Sequence, residues 1–291
     1  SASAYQARFA AIDLVAEENR AKQLSYVVWG STVGAVTGPN LMQPAGNVAE
    51  YFGLPRLVGP YMISALTLTF AALLIFLFLK PDPYLTALGE GKSYAAGKKH
   101  TKEALSHIWH KPIALFAILS IAIGHIAMIS VMVMTPVHMA HVDVSLKIIG
   151  LVISVHVIGM YAFSPVVGSI SDRIGRIKTI QAGLVILLAS AVVSGTAHAN
   201  DVPRLGVGLF LLGLGWSFTL IAGSALLSSS VDATLKSSAQ GASDLVMNLA
   251  GAGGGAIAGV IISTYTYGWL CFFAAIPVLL LGIWSLKFKG I

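Results

Sequence analysis

Charge is scarce in this sequence. Asp, Glu, Lys and Arg make up 10% of its 291 residues, where soluble domains carry about 25%. Apolar residues reach 56%, and a water-soluble fold of this length keeps too little polar surface to cover so much of them. This excludes an ordinary soluble domain and points to the membrane class. Cysteine is scarcer still: Cys271 is the only one, so no intrachain disulfide is possible. Period-two alternation is missing, which argues against a β-barrel. No nucleophile–base arrangement or P-loop stands out, so neither an enzyme nor an ATP-driven pump is expected, and no cofactor. His107 with His110, and His138 with His141, have helical spacing but no further ligand, so no metal is expected either. Gly251-Ala252-Gly253-Gly254-Gly255 is glycine-rich like a dinucleotide loop, but no strand precedes it. The start, SASAYQARF, has no initiator Met and no charged-then-apolar leader. It reads as a cut into something longer rather than a signal peptide.

What the chain does have is long apolar runs. A helix needs about 20 such residues to cross about 30 Å of hydrocarbon. Eight stretches qualify: Ser25–Gly46, Val58–Leu79, Pro112–Val137, Ile148–Ser171, Thr179–Asn200, Leu205–Val231, Ser238–Thr264 and Gly268–Leu286. Backbone polar groups must be satisfied internally in lipid, so the expected fold is an all-α membrane protein, a polytopic bundle of eight transmembrane helices. Orientation follows from Lys and Arg. With the N-terminal segment inside, fifteen bases fall on the inner side and three (Arg56, Lys147 and Arg204) on the outer. The net charge of +6 then reflects the anionic inner leaflet rather than nucleic acid. Both ends of the chain are expected in the cytoplasm and the protein in the cell membrane.

One connection, residues 80–111, is long and rich in Lys, Gly and His. Leu105, Ile108 and Trp109 recur at i, i+3, i+4, the spacing of a short helix lying on the membrane; a solvated linker fits equally well. Glycines repeat as well. Gly30, Gly34 and Gly38 in the first run recur as Gly251, Gly255 and Gly259 in the seventh. Small residues every four positions let helices approach closely, and same-direction repeats suggest two similar halves.

Between the fourth and fifth runs lies GSISDRIGRIK, residues 168–178. Gly168, Asp172, Arg173, Gly175 and Arg176 resemble the signature G-x-x-x-D-R-x-G-R-[RK] of the major facilitator superfamily. Ile177 departs from it, and Lys178 is the neighbouring base. The resemblance implies twelve helices in two six-helix halves joined by a long cytoplasmic loop. The eight runs then read as helices five to twelve: residues 1–79 end the N-terminal half, 80–111 form the central loop and 112–291 form the C-terminal half. Helices one to four would be missing, except for a tail of helix four in residues 1–11. Gly34-Ala35-Val36-Thr37-Gly38-Pro39 further resembles the helix-five motif of proton-coupled antiporters, although Asn40-Leu41-Met42-Gln43 departs from its continuation. With Gly30, these residues are expected to pack and bend helix five.

Physics assigns the signature loop a task of its own. Gly175 permits a tight turn. Asp172 can face the positive end of a helix, and the start of the first run, near Arg20–Ser25, is the candidate. Such a contact exists only with the inner side closed, which makes the loop a gate. Polar groups at membrane depth are functional candidates by default. Asp244 is the only acid well inside a run, with Asn248 one turn on. His125 and His156 lie near the middle of consecutive runs and can carry protons. Trp216 can stack a flat or cationic solute. Met128, Met132, Met134, Met160 and Tyr161 can form an adaptable wall. The expected function is secondary transport of a small organic solute by alternating access, with proton-coupled export as first choice. A nutrient symporter or uniporter remains open, as does a non-transporting scaffold or receptor.

Overall fold

A computed structural model describes residues 7–88, 106, 108–232 and 234–288. Among the described residues, a helical turn over residues 7–10 and a short 3-10 turn, Glu17–Asn19, precede ten α-helices. They are α1 (Arg20–Tyr51), α2 (Val58–Phe78), α3 (Pro83–Leu88), α4 (Pro112–Ala140), α5 (Leu146–Tyr161), α6 (Ser164–Ile174), α7 (Arg176–Gly195), α8 (Val202–Ser230), α9 (Lys236–Thr264) and α10 (Tyr267–Ser285), followed by a 3-10 turn, Leu286–Phe288. Among the described residues, all regular structure is helical. The all-α bundle is therefore as expected.

Among the described residues, seven helical stretches are long and apolar enough by composition to cross a membrane. The first run is the least apolar of the eight. Its helix α1 is continuous over 32 residues, about 48 Å at 1.5 Å per residue, so its length suffices. Arg20, Lys22, Gln23, Asn40, Gln43, Asn47 and Glu50 dilute its apolar character. The fourth run also differs: it is broken into α5 and α6 at Ala162–Phe163. Pro165, in the first turn of α6, has no N–H to continue the helix from Tyr161. The surface helix over Leu105–Trp109 falls partly outside the described residues; within them, Ile108 is buried and Trp109 exposed.

The chain forms two compact units, residues 30–94 in one and residues 1–29 with 95–291 in the other. In the smaller unit, α2 meets the end of α1 closely, for a Cβ on Gly59 would collide with the backbone of Ala45 and Gly46. The rest of α2 presents bare apolar surface.

The larger unit is built around α8, which packs against α4, α5, α6, α7 and α9. Glycines let it approach. A Cβ on Gly213 would strike the His156 carbonyl and the Met160 amide, and one on Gly215 would meet Leu187. Helix α9 packs on α4, and α10 on α7 and α4. Along the α9–α4 contact, Gly251 lies at His125, Gly255 at Ile129 and Gly259 at Met134. Both residue numbers rise together, so these two helices run in the same direction.

Candidate functional site

The signature residues surround the joint between α6 and α7. Gly175 joins the two helices with φ 93° and ψ 150°, a conformation open essentially to glycine alone. The turn aims Asp172 at the start of α1. Its Oδ1 accepts the Ala21 N–H at 3.1 Å and its Oδ2 accepts the Lys22 N–H at 2.8 Å. These are two of the four amides that a helix start leaves unbonded, at the positive end of its macrodipole. Gly168 allows the approach, since a Cβ there would collide with Ser25 and the Ala21 carbonyl. Arg176 reaches the same segment. Its guanidinium donates to Glu17 Oε1 at 2.9 Å, to the Glu17 carbonyl at 2.7 Å and to Ser229 Oγ. The hydrogen bond from Arg176 holds the Glu17 carboxyl below its ordinary range. Arg173 is exposed.

The deep polar candidates fall into separate places. Asp244, buried, forms an ion pair with Arg8, itself 2% exposed, at 2.5 Å. Asn248 donates to the Asp244 carbonyl one turn back. Trp216 Nε1 donates to His125 Nδ1 at 3.1 Å. Because Nδ1 accepts, the ring is neutral with its proton on Nε2, and that edge lies against Gly251. Tyr161 meets Trp216 edge to face, with centroids 5.8 Å apart. His156 is fully buried and its Nδ1 bonds the Leu209 carbonyl at 2.8 Å, so its partner is α8 backbone rather than His125. Among the described residues no group of three His, Cys, Asp or Glu is placed to hold a metal ion.

The helix-five residues Gly30, Gly34, Gly38 and Pro39 lie on α1. Among the described residues, nothing lies within 4 Å of a Cβ built on Gly30, Gly34 or Gly38. The backbone stays helical through Pro39, without the break that α5 and α6 show. The corresponding glycines of α9 are covered by α4.

Two contributors escaped the sequence reading. Arg8 counted there only as an inner charge, and Glu17 not at all. A signal for Arg8 existed: it sits in Ala7-Arg8-Phe9-Ala10, and an Arg in so apolar a stretch needs an acid. Asp244 was the one deep acid in view.

Residues 125–289 match the family profile of the Major Facilitator Superfamily. The chain belongs to this superfamily. Within it, the chain is similar to two uncharacterized MFS-type transporters of Bacillus subtilis. It is 36% identical to YdeG over 98% of this chain and 67% of that protein, and 35% identical to YddS over 96% and 65%. It is 27% identical to the riboflavin transporter RfnT of Brucella anthropi, over 97% of this chain and 69% of that protein. The chain thus spans 65 to 69% of the length of these curated relatives.

Proposed function

We propose that the intact protein is a secondary active transporter of the cell membrane, moving a small organic solute by alternating access in exchange for protons. Residues 1–79 would close its N-terminal half, residues 80–111 would form the central cytoplasmic loop and residues 112–291 the C-terminal half. Helices one to four, outside this chain, would complete the cavity, and both ends of the present chain would be cytoplasmic.

The buried pair of Arg8 and Asp244 carries this reading. Two opposite charges out of water hold together only while both are charged. Breaking such a buried pair costs roughly 3–5 kcal/mol. A proton taken up by Asp244 does that without any change of sequence. Arg8 then seeks water, and the face closed by Asp172 on the start of α1 opens with it. Deprotonation restores the pair and closes the face. His125 and Trp216 act in the solute path, where the indole offers a stacking surface and the fixed tautomer of His125 offers one N–H donor.

The test is flux by the full-length protein in liposomes under an imposed pH gradient, with riboflavin as the first solute. Proton-driven flux that Asp244→Asn abolishes supports the proposal. Flux in Asp244→Asn with the pH dependence of the wild type sinks it. A second reading, nutrient symport or uniport, is favoured by the likeness to a riboflavin transporter; solute and protons moving in the same direction, or flux indifferent to the gradient, selects it. No flux of any solute tried would favour the scaffold.

A further inference from the structure

We infer that the cavity beside the signature loop is a binding site for a phosphate-bearing anion. This cavity, about 1130 Å³, lies where α4 and α7 begin and α8 ends. Lys111, Ile113, Arg176 and Lys178 are among its walls. Two long helices therefore point their N-termini into one space, and neither start carries a side-chain cap. Each such end carries a partial positive charge, and the start of α7 adds the unbonded amides of a helix N-terminus, the usual cradle for phosphate; at α4, Pro112 has no N–H and the Ala114 amide bonds the Lys111 carbonyl. A second observation is independent of the helix ends. Ser171 also lines the cavity, is 1% exposed, and its hydroxyl has no hydrogen-bond partner. A buried hydroxyl left without a partner is costly, and an oxyanion in the cavity would supply one. Lys111 and Lys178 add two positive charges.

Three acids also line the space. Glu17 is held by Arg176, and the Asp172 carboxylate is occupied by the Ala21 and Lys22 amides. Glu18 is exposed to solvent. Their charges are thus neutralised or solvated rather than aimed at an incoming anion. The volume far exceeds a bare ion, and Ile113, Leu226 and Phe288 supply an apolar wall. The occupant is therefore an anionic phospholipid headgroup or a free phosphate compound, which share the same chemistry. Since Glu17 and Asp172 wall the cavity only while they hold residues 17–22 in place, an occupant favours the closed face, and closure favours the occupant. This last consequence rests on the gate proposed above; the binding does not.

The experiment uses the protein purified into nanodiscs of phosphatidylcholine, with and without phosphatidylglycerol, and into detergent titrated with inorganic phosphate. Bound lipid is counted by native mass spectrometry and phosphate binding is read by the thermal midpoint. Saturable phosphatidylglycerol adducts with no phosphate effect assign a lipid headgroup; a saturable rise with phosphate assigns a free phosphate compound. In either case the Lys111→Gln, Lys178→Gln double variant binds about tenfold more weakly. Ser171→Ala, which leaves the charge unchanged, also weakens binding, and it carries the test alone if the double variant fails to fold. Absence of both effects overturns the proposal, as does lipid preference of equal strength in the wild type and Ser171→Ala.

Discussion

Helices α2 and α8 are both strongly apolar, yet none of the core of α2 is buried among the described residues while 78% of that of α8 is. Their apolar content says that each can live in lipid. It does not say what each touches. That is decided by where the small residues lie. Helix α8 carries Gly208, Gly213, Gly215 and Gly223, each against a neighbouring helix. Along α2, Leu68, Phe70, Leu73, Leu74, Ile75, Phe76, Leu77 and Phe78 are all exposed. Without a hydrophobic force between helices in lipid, close packing has to come from shape. The two glycine stripes teach the same lesson from the other side. Gly251, Gly255 and Gly259 meet α4, whereas among the described residues nothing lies within 4 Å of a Cβ on Gly30, Gly34 or Gly38. A stripe of small residues permits packing and does not create a partner.

The sharpest way to break this comparison is Gly213→Leu. Its side chain would enter the backbone of α5, so the expected cost is at the upper end of overpacking, about 3 kcal/mol, read as loss of the folded species in detergent. Phe70→Ala on α2 should stay within roughly 0.5 kcal/mol; equal losses in both would erase the distinction. Next comes Gly175→Ala. Backbone strain at this φ is worth of order 1–3 kcal/mol, and the thermal midpoint of the larger unit should fall accordingly. The stripes give a paired test. Gly251→Ala places a Cβ 2.7 Å from the His125 ring, a loss of about 1 kcal/mol or more. Gly34→Ala in this same chain should be silent within about 0.5 kcal/mol. A large loss from Gly34→Ala would mean that its face is covered after all.

The smallest effect is expected from Glu17. Its carboxyl is held below the ordinary carboxylate range by Arg176. A folded-state value below the unfolded one stabilises at pH above the ordinary carboxylate value, and that contribution fades as pH falls through the lowered one. Acid titration of stability should therefore show a slightly shallower loss for Glu17→Gln than for the wild type. Identical acid limbs would mean that this exposed pair does not matter to folding.

Much of this was legible in the sequence, for identifiable reasons. Long apolar runs show the helices because hydrocarbon thickness fixes their length. The short charged loop shows the joint at Gly175 because only glycine turns that way, and the start of α1 as the place for Asp172 because a helix start has amides to spare. Contacts between distant segments are another matter. The pairing of Arg8 with Asp244 joins residues 236 positions apart, and no local pattern encodes it. The break before Ser164 was readable from Pro165 but hidden inside a run that looked uniformly apolar. The stripe on α1 makes the same point: sequence shows which faces can pack, not which faces are met.

The central claim is that the Arg8–Asp244 pair and the cap of Asp172 on α1 are parts of one closure. Hydrogen exchange at the Ala21 and Lys22 amides in Asp244→Asn, with the full protein in membranes, tests it most directly. Asp172 accepts both amides, so a local change at Asp244 has no direct claim on them. The account predicts that both amides lose protection in Asp244→Asn, as they do in Asp172→Ala. Protection unchanged from the wild type in Asp244→Asn would show two independent contacts and contradict the single closure.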